Sequence, residues 1–184
     1  LGNGVENLTF QFDGGFDLQE TFRNCTSFNG DVTGWNTTGA TSMTGCFQEC
    51  DVFNQDLSSW DFSTVTAFTG FARGAHAFNN GGVGGVGVGM DTWDLGLVQN
   101  LSFAFYQNYA LNQYIGSWDT SNFTDMVGTF RDCFAFNMGF AAGVSNGGVG
   151  VGIDTWDLSN CTGLSGTFED CYAFNSCFVC TLCL

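Results

Sequence analysis

Apolar positions along this chain recur on a clock longer than any helix or strand period. Phe or Leu followed by Asn occurs at Phe28-Asn29, Phe53-Asn54, Phe78-Asn79, Leu111-Asn112, Phe136-Asn137 and Phe174-Asn175, so the Asn spacings are 25, 25, 33, 25 and 38. Trp keeps the same clock at Trp35, Trp60, Trp93, Trp118 and Trp156, spaced 25, 33, 25 and 38. A unit of 25 residues is therefore present six times, opening near Phe10, Trp35, Trp60, Trp93, Trp118 and Trp156, with Phe10 standing where the others have Trp.

Counted from that opening residue, the apolar positions are +5, +8, +12 and +18: Phe123, Met126, Phe130 and Phe136 in the Trp118 repeat, and Cys161, Leu164, Phe168 and Phe174 in the Trp156 repeat. The +5, +8, +12 spacing predicts one or two turns of α- or 3₁₀-helix with the apolar side inward. Thr and Gly are too frequent there for a long regular helix. The stretch from Asn54 to Trp60, apolar at Leu57 and Trp60, reads as a short strand with a turn. One strand and one helical turn make a coil that cannot bury its apolar side alone, so the expected fold is a repeat solenoid. At about 4.8 Å per coil its core is roughly 30 Å long. Residues 1–184 read as one such domain.

The two long spacings are 25+8 and 25+13, and both extra pieces fall between the Asn and the next Trp, at about 81–88 and 139–152. They read alike: NGGVGGVGVGMDTW from Asn80 to Trp93, and NGGVGVGIDTW from Asn146 to Trp156. Insertions at one register of a repeat map to one face of a stack, and a two-coil unit, one plain and one with an insert, is duplicated. Gly82 to Gly87 matches the dinucleotide pattern G-x-G-x-x-G, but no strand, helix and acidic residue surround it as that site requires. The better reading is an extended fin, opened by the turn signals Asn80-Gly81 and Asn146-Gly147, with Val on one side and a Gly side open to a neighbouring edge.

Composition narrows the partners. Lys+Arg number 3 (Arg23, Arg73 and Arg131) against Asp+Glu 18, for a net charge of −15. Nucleic acid needs a basic footprint, and an anionic membrane surface needs the same. Hydrophobic residues make up 44% and aromatics 16%, too many for a disordered acidic chain. No window approaches the 18 apolar residues of a membrane span, so membrane insertion is not expected. Nine Cys with one His point to an oxidising compartment. Six N-x-[ST] sequons, at Asn7, Asn24, Asn36, Asn100, Asn122 and Asn160, agree with an N-glycosylated, extracellular or cell-surface chain. Leu1 opens the sequence without a charged-then-apolar leader, which we read as a mature or trimmed segment.

The run FNQDLSSWD from Phe53 to Asp61, and WDTSNFTDM from Trp118 to Met126 followed by Gly-Thr-Phe130, resemble the BspA-like leucine-rich repeat surface proteins. Their repeat is close to W-D-T-S-x-V-T-D-M-x-x-M-F-x-x-A/C-x-x-F-N-x-D-L-S. The likeness covers roughly residues 10–176. It implies a leucine-rich-repeat-like solenoid on a microbial surface, associated with adhesion and without enzymatic activity. The Gly/Val inserts, the many Phe at Met or Leu positions and the Cys-rich segment 177–184 depart from that pattern.

The +19 Asn of each repeat (Asn29, Asn54, Asn79, Asn112, Asn137 and Asn175) is expected to form a ladder of amides bonded to neighbouring backbone, rather than a set of ligand contacts. Cys recurs at +15 as Cys25, Cys50, Cys133 and Cys171. Same-register residues lie within disulfide reach, giving Cys25–Cys50 and Cys133–Cys171; the alternative is a slot of buried reduced thiols. Cys46, Cys161, Cys177, Cys180 and Cys183 remain, an odd number. His76 is the one His and no second C-x-x-C pairs with Cys177 and Cys180, which argues against zinc. Asp91, Asp94, Asp154 and Asp157 are candidate Ca²⁺ ligands, set against Asx-turns at the coil corners. No cofactor other than Ca²⁺ is suggested, and no HExxH or GxSxG motif occurs.

Two functions follow. The first is a self-assembling structural protein, copies of itself joined end to end in an extracellular fibre or coat, since apolar segments such as Leu8 to Phe12 and Cys177 to Leu184 flank the array. The second is a surface adhesin that binds a host, matrix or glycan ligand through the solenoid face.

Overall fold

The structure, a computed structural model, describes residues 15–85, 88–138 and 152–174. Regular elements are short. β1 (Phe16–Asp17) pairs in parallel with β2 (Ala40–Ser42), while β3 (Gly84–Gly85) pairs antiparallel with β4 (Val88–Gly89). Single 3₁₀ turns cover Asn80–Gly82, Met90–Thr92 and Ile153–Thr155.

What joins the repeats is a parallel ladder at position +7. Asp17 pairs with Ser42, Ser42 with Ala67, Ala67 with Asn100, Asn100 with Asp125, and Asp125 with Gly163. Every one of these residues is +7 of its own repeat, so adjacent repeats lie side by side in register despite the inserts.

After the ladder, position +8 to +15 is a run of consecutive turns and not the helical turn expected from the apolar spacing. In the Trp35 repeat Cys46 N–H bonds Met43 C=O at 3.1 Å, Gln48 bonds Gly45 at 3.1 Å, and Cys50 bonds Phe47 at 3.2 Å. The backbone is left-handed at +10 in all six repeats (Glu20, Gly45, Gly70, Phe103, Gly128, Gly166), with φ between 55° and 64°. It is left-handed again at +14 (Asn24, Glu49, Gly74, Gln107, Asp132, Asp170), with φ between 58° and 71°. Positive φ at the third residue is what a type II turn requires, and it explains the Gly at +10 of four repeats.

The alternating backbone also divides the amides into two sets. Those at +11, +13 and +15 close turns within the repeat. Those at +8, +10, +12 and +14 donate to the next repeat: Met126 to Gly163, Gly128 to Ser165, Phe130 to Thr167 and Asp132 to Glu169, at 2.6–3.0 Å. The same four-bond set joins the Phe10 and Trp35, the Trp35 and Trp60, and the Trp93 and Trp118 repeats. Every such bond runs one way, from the N–H of one repeat to the C=O of the following one.

The expected strand over Asn54–Trp60 is absent. That stretch bends at Leu57, where Trp60 N–H bonds Leu57 C=O at 3.0 Å and the Asp56 carboxylate accepts from Ser58 N–H at 2.9 Å. An isolated row of Asn, Gln and Ser supplies polar partners for a bend more readily than apolar alternation for a strand.

The core is one buried cluster built as columns of identical register. Phe28, Phe53 and Phe78 (+18) stack at 5.9 and 5.8 Å between centroids. Phe105, Phe130 and Phe168 (+12) stack at 5.5 Å each. Trp35 stacks on Trp60 at 6.2 Å, and Trp93, Trp118 and Trp156 continue at 6.4 and 6.5 Å. The Trp60 repeat breaks the pattern. Its ring at the third core site is Phe71 at +11, with Ala72 at +12, so Phe71 meets Phe47 edge-on at 88°. Phe62 enters the Trp column there, 4.5 Å from Trp93.

Candidate functional site

The site begins with a difference between inner and outer repeats. Trp118 and Phe130 are fully sealed, each covered on both sides by an equivalent residue. Their counterparts Trp156 and Phe168 in the last repeat are only half-buried, as are Leu158 and Leu164. Together with Met126 of the preceding repeat and Ile153 these residues line a cavity of about 420 Å³. Trp156 is fixed by its indole N–H, which donates to Ile115 C=O at 3.3 Å, and Phe168 by stacking on Phe130 at 5.5 Å and Phe174 at 4.7 Å. The rim is charged: Glu169 pairs with Arg131 of the preceding repeat at 3.2 Å.

A second surface feature is a column of exposed rings at +16. His76 stacks on Tyr109 at 4.5 Å, Tyr109 on Phe134 at 4.8 Å, and Phe134 on Tyr172 at 5.4 Å, all within 13° of parallel. His76 Nδ1 lies 3.5 Å from Asp51 Oδ1, the same register one repeat earlier. Tyr172 is 76% exposed and presents the open face of this column. The sequence carries only a partial signal for it: Tyr109, Phe134 and Tyr172 keep the period at +16, but Thr26, Asp51 and His76 fill that position in the first three repeats.

The +19 amides lie where the period puts them. Asn29 Oδ1 accepts from Asn54 N–H at 2.9 Å, Asn54 from Asn79 at 2.8 Å, Asn79 from Asn112 at 2.9 Å, and Asn112 from Asn137 at 2.8 Å. Asn54 Oδ1 accepts Gly81 N–H as well, at 2.9 Å, which ties the first insert to the ladder. Asn175 lies outside the described residues.

The cysteines do not form the expected bridges. Cys25, Cys50, Cys133 and Cys171 are free thiols, as are Cys46 and Cys161. Three of the +15 thiols donate instead to the +12 carbonyl of the preceding repeat: Cys50 to Phe22 at 3.0 Å, Cys133 to Phe105 at 3.0 Å, and Cys171 to Phe130 at 2.9 Å. Asn108 fills the same slot and bonds the same carbonyl, Ala72 C=O, at 2.7 Å. The slot thus selects a small donor, and Cys supplies one without a covalent partner. Cys177, Cys180 and Cys183 lie outside the described residues.

Burial pushes the Cys50 and Cys171 thiols up to about 12 and raises Cys46 and Cys133 well above their ordinary value. Only the thiolate alkylates. Among the described cysteines, Cys25, the exposed one, is therefore expected to react with iodoacetamide at neutral pH, and Cys46, Cys50 and Cys133 only after denaturation. Peptide mass mapping checks this; equal labelling of Cys50 and Cys25 in the folded chain would contradict the buried placement.

The candidate calcium ligands are engaged locally. Asp94 Oδ1 accepts from Gly96 N–H at 3.1 Å and Asp157 from Ser159 N–H at 2.9 Å, both Asx-turns. Asp154 accepts from Gly152 N–H at 2.9 Å, and Asp91 from the Ser117 hydroxyl. Hydroxyl bonds from Ser63, Ser121 and Ser159, followed by their backbone amides, hold Asp61, Asp119 and Asp157 below the usual carboxylate value. Among the described residues no three His, Cys, Asp or Glu side chains gather around a common point fit for a metal ion.

Five sequon Asn (Asn24, Asn36, Asn100, Asn122 and Asn160) are exposed, and Asn7 lies outside the described residues. Asn122 and Asn160 donate their Nδ2 to Gly96 and Ser121 carbonyls at 2.7 Å, whereas Asn36 and Asn100 use Oδ1, accepting from Thr38 and Ser102 N–H. The glycine pattern at 82–87 falls on the β3–β4 hairpin, where Gly84 faces Gly89 and Gly85 faces Val88, with Val83 and Val88 exposed. The tip, 86–87, and the second insert up to 151 lie outside the described residues. No described helix is long and apolar enough to cross a membrane.

Neither a curated protein nor a solved structure matches this chain. A family pattern does, over residues 9–83 and 85–178, described as "Mycoplasma protein of unknown function, DUF285". The two matched segments meet inside the first insert, so the family pattern spans nearly the whole array. The chain belongs to the DUF285 family.

Proposed function

We propose that this chain is a non-enzymatic, extracellular structural protein: a BspA-like, leucine-rich-repeat-like solenoid that associates end to end into a fibre or surface coat, N-glycosylated on its exposed sequons. The +7 ladder and the in-register aromatic columns support the solenoid reading. The observation that carries the assembly reading is the cavity of about 420 Å³ bounded by Trp156, Leu158, Leu164 and Phe168, an apolar surface of the kind that solenoids otherwise cover with a polar cap. Burying such a surface against a second molecule releases about 25 cal/mol per Å².

The surface-adhesin reading is favoured by the exposed ring column ending at Tyr172. Electron microscopy of purified full chain with static light scattering separates the two. Filaments whose mass grows with concentration are expected. Dispersed monomers at all concentrations would defeat the assembly reading and turn attention to the Tyr172 face.

A further inference from the structure

The backbone donors of the last repeat supply a more specific statement. In the preceding repeats, the amides at +8, +10, +12 and +14 bond carbonyls at +7, +9, +11 and +13 of the following repeat, with three of the four bonds between the Trp60 and Trp93 repeats. In the Trp156 repeat these amides belong to Leu164, Gly166, Phe168 and Asp170, and none meets an acceptor among the described residues. At the other end the matching carbonyls belong to Asp17, Gln19, Thr21 and Arg23, and none accepts a hydrogen bond among the described residues. One end is a row of donors, the other a row of acceptors, at the same two-residue spacing.

The geometry points to a polar, head-to-tail contact between two molecules of this chain in which the Phe10 repeat of one takes the place of a seventh repeat on the other. This rests on the assembly reading above and specifies its register. Leu164 N–H then meets Asp17 C=O of the second molecule, Gly166 meets Gln19, Phe168 meets Thr21, and Asp170 meets Arg23. Two rows of donors facing each other would form none of these bonds, so a symmetric contact between like ends is disfavoured. A heterologous contact of this kind does not close on itself and propagates.

Side chains complete the same register. The Cys50, Cys133 and Cys171 thiols each reach a +12 carbonyl in the repeat before them, whereas Cys25 is exposed. Joined head to tail, Cys25 finds Phe168 C=O. Thr129 and Thr167 hydroxyls bond the +8 carbonyls of their preceding repeats, Leu101 at 3.1 Å and Met126 at 3.0 Å. Thr21, at the same +11 register, finds Leu164 C=O. The Phe22 ring lies over Phe168, as it does over Phe47 at 5.4 Å within its own chain. Arg23, which pairs with Glu20 in its own chain, comes to the second side of Glu169, opposite Arg131, so that carboxylate is bracketed by two guanidinium groups.

The test uses the full chain with reductant present, at concentrations below and above the onset of assembly. Two readouts are followed: hydrogen–deuterium exchange of the peptide covering 163–171, and the rate of Cys25 alkylation. Assembly accompanied by tenfold or greater slowing of both supports the contact. Charge exchange adds a second arm: E169R and R23E chains each assemble several-fold less well than the parent, and an equimolar mixture recovers assembly by alternation. Assembly with unchanged exchange at 163–171 and unchanged Cys25 reactivity overturns the register and leaves end-to-end association standing on other surfaces. Failure to assemble with 163–171 already protected in the monomer overturns both, and names residues 175–184 of the same chain as the occupant. Failure to assemble with 163–171 unprotected also overturns both.

Discussion

Replacing Phe130 with Ala is expected to lower the stability of the chain by about 3–5 kcal/mol. The Phe130 ring has no exposed surface and sits in the middle of a column, 5.5 Å from both Phe105 and Phe168 and 4.7 Å from Phe136. Its loss removes the transfer energy of a buried ring and leaves a cavity that the rigid neighbours cannot fill, since adjacent rings are held by their own repeats. Each parallel-stacked pair adds about 0.5–1.5 kcal/mol beyond burial. The shift in urea midpoint measures it, with Phe134→Ala as the comparison. Phe134 also stacks on two rings, Tyr109 and Tyr172, but is 40% exposed. Equal losses for the two variants would contradict the assignment of the +12 column to the core and the +16 column to the surface.

Asn54→Ala is expected to cost about 1–3 kcal/mol for each backbone donor it orphans. There are two, Asn79 N–H and Gly81 N–H, both within 2.9 Å of the Asn54 carbonyl oxygen. Asn54→Asp keeps both acceptor positions and is expected to recover most of the loss at neutral pH. Denaturant unfolding of the three chains checks the order parent, Asp, Ala. An Ala variant as stable as the parent would mean that water satisfies those two amides and that the ladder contributes nothing. The effect also reaches the hairpin: Gly81 N–H, beside the Asn80 side chain bonded to Leu57 and Ser58, helps hold the insert to the array, so faster exchange of residues 81–85 accompanies Asn54→Ala.

The repeat register, the Trp column and the Asn ladder were legible because identical residues at a fixed period meet identical neighbours. Once Asn29 has a partner 25 residues on, Asn54 has one too. The extended fin expected of the first insert was legible in its Val-Gly alternation, but Asn80-Gly81 forms a 3₁₀ turn ahead of β3, and the pairing of Gly84–Gly85 with Val88–Gly89 was not foreseen. The helical expectation at +5 to +12 failed for a physical reason. Apolar spacing reports which side chains point inward, and a run of consecutive turns, left-handed at +10 and +14, points them inward as well as a helix does. Gly at +10 hinted at the turns, but Glu20 and Phe103 occupy the same left-handed position at φ 55° and 57°. The disulfide expectation failed because closeness of register is necessary for a bridge but not sufficient. At +15 the sulfur faces a carbonyl, and Asn108 shows that the slot recognises a hydrogen-bond donor.

By itself the sequence of this protein determined how many units there are, where the inserts fall and which residues make the columns, because burial of a repeated apolar position is a local demand copied along the chain. The tertiary structure alone decided the direction of the hydrogen bonds. Whether the amide of Leu164 or of Ser165 points outward depends on the sign of φ at neighbouring residues, and the left-handed positions +10 and +14 are filled by Glu20, Asn24, Phe103 and Gln107 as well as by Gly, so residue type alone does not mark them. From that alternation come both the donor row at Leu164, Gly166, Phe168 and Asp170 and the acceptor row at Asp17, Gln19, Thr21 and Arg23, neither of which meets a partner among the described residues. Composition and period are blind to them, since every residue except Pro carries the same backbone groups.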